Sequence, residues 1–322
     1  MTVVIAGASG FMGTRLRSAF TAAGEPVRTV GRTGDATWGD TAAIARLVDG
    51  ADLVVNLAGR SVDCRYGPAN RAEILRSRVA TTTELGEAIR RADAPPPVWI
   101  NSSTATIYRH ADDRPQTEAD GELGEGFSVG VARAWEEAFF GADVPGVRRV
   151  ALRTAITLGN GSALVPLLRL ARVGMGGPQL DGRWPATRAR LAAGTYHRFG
   201  TPHGRQRFSW VHVDDLVGVV RFLRERPDLG GVVNVSSPNP VDGVTLMRTL
   251  RRVLGVPFGV PLPRAALELG AFVLRTETEL VLKSRWVLPD RLLRAGYAFA
   301  HPTLESALRA IVEERLVRIA AP

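Results

Sequence analysis

The residues with the most specific chemistry lie close to the start of the chain. Ala6-Gly-Ala-Ser-Gly-Phe-Met-Gly13 sets glycines at positions 7, 10 and 13. A short β-branched run precedes them and an amphipathic stretch follows, so the pattern reads as strand, turn, helix. In that context each glycine has a mechanical task. Gly7 permits the tight turn out of the strand. Gly10 lets backbone N–H groups approach a pyrophosphate. Gly13 lets the helix pack against the sheet. Ser9, Phe11 and Met12 complete the turn, and the helix N-terminus adds partial positive charge for phosphates. The second strand ends in Val27-Arg-Thr-Val-Gly-Arg32. A dinucleotide site that binds the ribose hydroxyls carries an acid about 20 residues past the glycine loop. Here Arg32 stands at the strand end instead, and a guanidinium suits a 2′-phosphate. The expected cofactor is therefore NADP(H) rather than NAD(H). The alternative is a solvated arginine without a ligand.

The elements that position this turn alternate. Strands are expected over Thr2–Ala6, Pro26–Val30, Asp52–Leu57, Val98–Asn101 and Arg149–Thr154. Helices are expected over Gly10–Ala23, Thr41–Val48, about Ala69–Arg91, and Val129–Phe140. Buried strands alternating with helices imply a parallel sheet covered on both faces. A polar loop is expected over Arg109–Gly126. Beyond it the pattern loosens. Ala163–Val173 reads as a helix, Gly174–His203 as a loop or lid, Asp214–Arg224 as a helix, Gly231–Val235 as a strand and Val244–Leu254 as a helix. Pro261–Leu316 reads as several helices broken by Pro289 and Gly296. The fold class is α/β, a Rossmann-type doubly wound sheet with a smaller, mostly helical part. Residues 1–160 with 209–235 form the nucleotide-binding domain; 161–208 and 236–322 form the cap.

The chain has 322 residues, with 45% hydrophobic and 23% charged side chains. No stretch approaches the length of a membrane span, and the start lacks a signal-peptide pattern. Cys64 is the only cysteine, which excludes a disulfide framework and a thiolate metal site and fits a reducing cytoplasm. The net charge is +9, carried almost wholly by arginine, since Lys283 is the only lysine. The arginines are scattered rather than gathered in a stripe, so no nucleic-acid partner is expected. No histidine pair has the helical spacing of a metal site, so no metal is expected. The chain is expected to be a monomer or homodimer acting on a small molecule.

Several segments together resemble the extended short-chain dehydrogenase/reductase superfamily. The glycine turn matches its nucleotide loop. Asn56-Leu-Ala-Gly59 is similar to its segment after the fourth strand. Asn101-Ser-Ser-Thr-Ala-Thr-Ile-Tyr108 is similar to its fifth strand and serine-rich active-site turn. Trp210-Val-His-Val-Asp-Asp-Leu216 and Asn234-Val-Ser-Ser237 resemble its later segments. The resemblance is closer to an atypical epimerase-like, NAD-dependent epimerase/dehydratase group with a C-terminal helical domain of unknown function. Its marks are Arg76-Ser-Arg78, Trp135-Glu-Glu137, Leu152-Arg-Thr154, Gly176-Gly-Pro178, Gly204-Arg-Gln206, Phe208-Ser-Trp210 and Val287–Phe299. The resemblance implies cofactor contacts at Asn56, Leu57, Ala58, Gly59 and Ser102. It also implies a substrate-orienting hydroxyl at Thr104, with Ser103 as a neighbour of similar claim; either hydroxyl could instead cap backbone groups at the strand end. One departure is an insertion, Gln179–His203, with Arg183, Arg188, Arg190 and Arg198. It is either a basic lid over an anionic substrate or an inert surface loop.

The resemblance also implies a tyrosine with a lysine four residues later on one helix face, where the lysine and cofactor lower the tyrosine pKa. That pair is missing. Tyr66, Tyr108, Tyr196 and Tyr297 are followed at that spacing by Asn70, Asp112, Gly200 and His301. Anchoring the family helix on Glu136 puts Ser128 and Ala132 at the two positions, a one-residue slip puts Val129 and Arg133 there, and neither restores a base; Lys283 lies far along the chain. His110 and His197 sit on loops that could face a cleft, without a partner evident from spacing, whereas His212 reads as structural. Two functions remain open: an NADP-dependent oxidoreductase or epimerase for a small sugar-like or anionic substrate, or an NADP-binding protein without turnover.

Overall fold

In a computed structural model, the described residues are 1–161, 164–194, 196, 198–273 and 277–320, with side chains through 317. His197 and the segment 274–276 lie outside them. A parallel sheet of seven strands organises the molecule. In chain order its strands are β1 (Val3–Ala6), β2 (Val27–Gly31), β3 (Ala36–Thr37), β4 (Leu53–Asn56), β5 (Val98–Thr104) and β6 (Arg148–Thr154). After the short β7 (Ile156–Leu158), β8 (Arg207–Phe208) and β9 (Trp210–His212) comes its last member, β10 (Gly231–Val235), and then β11 (Val241–Asp242). Across the sheet the order is β3-β2-β1-β4-β5-β6-β10. The order reverses direction at β1, which opens a crevice at the carboxyl ends of β1 and β4.

Strand residues alternate between two apolar layers because neighbouring side chains point to opposite faces. Val3 and Ile5 face the helices α1 (Phe11–Ala22) and α7 (Val213–Glu225), with Leu16, Phe20, Val219 and Leu223. Val4 and Ala6 face α2 (Thr41–Val48), α3 (Pro68–Arg90) and α4 (Phe127–Phe140), with Ile44, Leu85, Trp99 and Phe139. A separate cluster joins α5 (Leu164–Arg172), α8 (Gly243–Leu254) and α12 (Leu304–Ala320) around Trp210 and Leu250. Shorter helices complete the chain: α6 (Arg188–Ala192) inside the insertion, then α9 (Arg264–Val273), α10 (Glu279–Leu282) and α11 (Asp290–Arg294).

Two features differ from the sequence-based expectation. The strand expected over Val98–Asn101 continues to Thr104, because Ser102, Ser103 and Thr104 pair with Leu152, Arg153 and Thr154 of β6. The C-terminal residues are also not confined to a cap. Leu292 of α11 is buried in the sheet's own core layer, with Tyr297 and Phe299 packed against it.

Candidate functional site

The opening turn is built by close backbone approaches. Gly7 has φ +79°, and a Cβ there would lie 2.8 Å from the Ala58 amide nitrogen. A Cβ on Gly13 would stand 2.3 Å from the Gly7 carbonyl oxygen. Only glycine lets β1, the turn after β4 and α1 come this near. Gly10 differs: it is exposed, and a Cβ there meets only the Gly7 oxygen, at an ordinary 3.4 Å. Gly10 is the N-cap of α1, and no side chain caps that helix. The first-turn N–H groups of Phe11, Met12 and Gly13 therefore have no partner within the helix. Ser9 is exposed beside them. Phe11 packs over Gly159, where a Cβ would meet its ring at 2.6 Å. Met12 takes a weak contact from the Thr157 hydroxyl at 3.7 Å. An uncapped helix start beside the exposed Ser9 and Gly10 is the donor set a diphosphate needs.

Arg32 follows β2 directly and is exposed, and it makes no ion pair among the described residues. The nearby acid, Asp35, is engaged elsewhere. Its Oδ2 accepts from the Thr29 N–H and the Thr29 hydroxyl, both at 2.8 Å. These bonds hold its pKa below the usual carboxylate range, with Arg28 adding to the effect. The acid is thus tied to its own strand, and the guanidinium is left at the strand end. The donor set fits a dinucleotide with a 2′-phosphate.

The turn after β4 is held from beneath. Asn56 is fully buried. Its Oδ1 accepts from the Ala58 N–H at 3.0 Å, and its Nδ2 donates to Asn101 Oδ1 at 2.7 Å. Its amide is therefore committed to shaping Leu57, Ala58 and Gly59 rather than reaching outward. A Cβ on Gly59 would meet the Arg78 side chain at 3.2 Å. Arg78 donates to the Arg60 and Ile74 carbonyls, both at 3.0 Å, and lies over the Trp135 ring. Burial lowers its pKa to about 10, and no carboxylate offsets it among the described residues.

At the end of β5, Thr104 Oγ1 accepts from the Thr106 N–H at 3.1 Å and caps the 3-10 turn Ala105–Ile107. Thr104 is half-buried and keeps its own proton to donate. Ser102 is buried, and among the described residues its hydroxyl makes only a long bond, 3.5 Å, to the Ser103 carbonyl. Ser103 turns away to Glu136 Oε1 at 2.6 Å. Glu136 is paired with Arg153 through two bonds of 2.8 and 2.7 Å. Arg153 also donates to the Tyr108 hydroxyl at 3.1 Å, and that hydroxyl donates to Asn234 at 2.9 Å. Burial raises the Tyr108 pKa. Tyr108 is a neutral, fully engaged side chain and not a base.

His110 is also committed. Its Nδ1 accepts from the Ser284 N–H at 3.0 Å, and its Nε2 faces Asp112 and the Thr201 hydroxyl. His212 Nδ1 caps α7, accepting from the Asp214 N–H at 3.2 Å. His212, Asp214 and His301 come together as a grouping with metal-ligand chemistry. Arg15 occupies both Asp214 oxygens at 2.6 and 3.0 Å, which leaves that carboxylate poorly placed to hold a cation.

Spacing could not reveal what lies next to Thr104. The segment after α10 is laced between two other strands of chain. Gln116 N–H donates to the Trp286 carbonyl at 2.7 Å, and Ser209 N–H to the Arg285 carbonyl at 2.9 Å. Val287 is buried with Ile107 and Ala132. This brings Lys283, distant in sequence, to the 3-10 turn: its Nζ donates to the Thr106 carbonyl at 2.8 Å. Ser128, at the position the resemblance gives to tyrosine, donates to Glu279 at 2.8 Å. The one advance signal was compositional, a single lysine among arginines.

The insertion is anchored rather than loose. Asp181 pairs with Arg264 at 2.6 Å, both almost fully buried. Arg190 reaches Glu268 and Glu277. The Gly194 carbonyl accepts from the Phe127 N–H at the start of α4. Arg183 and Arg198 line an open cavity with Trp184 and Tyr196.

A Rossmann-type sheet with a glycine-cradled helix start, completed by a C-terminal helical part, defines a dinucleotide-binding class of protein. Residues 3–126 match the NAD dependent epimerase/dehydratase family, and residues 262–311 match a domain of unknown function. A human epimerase family protein, SDR39U1, is 30% identical over 97% of this chain and 100% of its own length. The Bacillus subtilis epimerase family protein YfhF is 29% identical, covering 98% of this chain and 99% of its own. The crystal structure of human SDR39U1 (isoform 2) with NADPH superposes with a TM-score of 0.81 at 29% identity, over 97% of this chain and 99% of that one. The chain belongs to this epimerase family. No helix among the described residues is long and apolar enough to cross a membrane.

Proposed function

We propose that the protein binds NADP(H) at the opening turn and acts as an oxidoreductase or epimerase on a small, sugar-like or anionic substrate. The observation that carries the reading is the uncapped start of α1 framed by Gly7, Gly10 and Gly13, with Arg32 exposed at the end of β2. The NADPH-bound human relative supports it. The backbone amides of Phe11, Met12 and Gly13 would hold the diphosphate, since the Gly10 N–H already donates to the Gly7 carbonyl at 3.1 Å, and Arg32 would hold the 2′-phosphate. Leu57, Ala58, Gly59 and Ser102 would flank the cofactor, with Asn56 shaping their turn. When bound, the dinucleotide supplies or accepts hydride. Thr104 would orient the substrate oxygen. Residues 1–160 with 209–235 would carry the cofactor, and 161–208 with 236–322, apart from the sheet-packed Leu292, Tyr297 and Phe299, would enclose the substrate, Arg183 and Arg198 favouring an anionic group.

A second reading, NADP binding without turnover, draws on Ser128 and Ala132 standing where a catalytic tyrosine and lysine are usual. The test is oxidation of NADPH by a panel of anionic and sugar-like carbonyl compounds, followed by the loss of dihydronicotinamide absorbance. Thr104→Val should lower the rate about tenfold or more while NADPH affinity stays the same. Thr104→Ser, which retains the hydroxyl, should restore it. Equal rates for native protein and Thr104→Val would remove Thr104 from the site, and no oxidation with any compound would favour the second reading.

A further inference from the structure

Lys283 is the single lysine of a chain whose Lys and Arg total 41. Arginine does not release its proton at any working pH, whereas a buried lysine can. This single lysine sits at the carboxyl end of β5, where its contact with Thr106 lies two residues from Thr104 along the backbone. Lys283 is 5% exposed. The Thr106 carbonyl takes one of its three N–H donors, and no carboxylate stands within ion-pair distance among the described residues. Glu279, one turn earlier, receives the Ser128 hydroxyl, so this segment packs against the place on α4 that lacks the tyrosine. The hydrogen bonds from Gln116 and Ser209 and the buried Val287 fix the segment there.

We propose that Lys283, delivered by the C-terminal segment, exchanges the proton with the substrate oxygen beside Thr104, in place of the Tyr and Lys absent from α4. The proposal rests on the NADP(H) oxidoreductase reading above. In carbonyl reduction the substrate carbon takes a hydride, and the C=O π pair moves to oxygen. That oxygen takes a proton from the Lys283 ammonium, leaving an alcohol and a neutral amine. The hydride comes from a dihydronicotinamide, which leaves oxidised, and the amine regains its proton from water. Oxidation runs the same exchange backwards.

The electrostatics support the role. Burial lowers the Lys283 pKa to about 8, Arg285 acts in the same direction, and Glu279 opposes them. His110 also faces it, from the loop after the 3-10 turn, and the Lys283 charge adds to the burial that lowers the histidine. A group poised near neutrality can both give and take a proton.

A single lysine gives a single side-chain signal, so the native chain can be read directly. Protein made with 13C,15N-lysine would be titrated with pH alone, with NADPH and with NADP+. The expected midpoint is about 8 in the free chain. With NADP+ it should fall below the NADPH value by on the order of half a pH unit, because the oxidised ring brings a nearby positive charge. An ordinary midpoint of about 10.4, or the same midpoint with both cofactor forms, overturns the proposal. Lys283→Met should bind NADPH as the native chain does yet lose about a hundredfold in hydride transfer, and Lys283→Arg should not rescue it. Full activity of Lys283→Met overturns the proposal as well. A native chain that binds no NADPH refutes the parent reading and this role with it. Bound NADPH with an indifferent lysine refutes this role alone.

Discussion

Gly10→Val separates a phosphate-gripping turn from a merely tight one. Gly10 has φ −74° and ψ 170°, which is extended backbone that valine adopts readily. The new Cβ would touch only the Gly7 oxygen, at 3.4 Å. At an N-cap, glycine and an aliphatic side chain differ by no more than about 1 kcal/mol, so the melting temperature should move by about 3 °C at most. The isopropyl group fills open space at the helix start, where a diphosphate must sit to reach the Phe11, Met12 and Gly13 amides. Losing one charge-assisted hydrogen bond costs about 1.5–3 kcal/mol, which lowers affinity about 10- to 150-fold. Gly13→Ala provides the contrast. Its Cβ would stand 2.3 Å from the Gly7 oxygen, so α1 must shift, and overpacking of this kind costs about 1–3 kcal/mol of stability. Thermal melts and NADPH fluorescence titrations of both variants are the assay. Gly10→Val binding NADPH like the native chain would refute the assignment of those amides to phosphate.

Arg32→Ser should weaken NADPH binding by about tenfold or more and leave NADH binding unchanged; parallel titrations with the two cofactors decide it. Glu136→Ala leaves Arg153 buried without its carboxylate and should cost about 3–5 kcal/mol, read as a lower midpoint in urea unfolding. Asp181 has a depressed pKa although burial opposes the shift, because the Gly200 and Gly182 N–H groups and Arg264 favour its charged form. Its stabilisation is therefore present above the unfolded carboxylate pKa of about 3.9 and disappears as pH falls through the lower folded value. Asp181→Asn should lower stability at neutral pH and flatten the acid decline below about pH 4, measured by urea midpoints across pH.

The sequence made the local part of the site legible. The β1 run, the glycine spacing and the start of α1 lie within a dozen residues, and the tasks of Gly7 and Gly13 are backbone constraints that only glycine meets. Arg32 was visible for the same reason, at the end of the adjacent strand. Ser102 to Thr104 read as a turn because small polar residues give no strand period; only pairing with Leu152 to Thr154 of β6 makes them a strand. Asn56 looked like a contact residue, but burial beside Asn101 and Thr82 makes it a support for the turn. The short β3, β8 and β11 have two residues each, too few for any pattern. Lys283 was hidden because its meeting with Thr106 spans 177 residues of sequence. The marks that carry the family resemblance prove to be largely joinery: Glu136 with Arg153, and Ser209 with Val287.

The account rests most directly on the affinity of the native chain for NADPH against NADH. Calorimetric titration of the unmodified protein with each cofactor, at one ionic strength, should give saturable one-to-one binding, tighter for NADPH by about tenfold or more. Equal affinities would contradict the place given to Arg32, and absence of heat with both would contradict the nucleotide site at the opening turn.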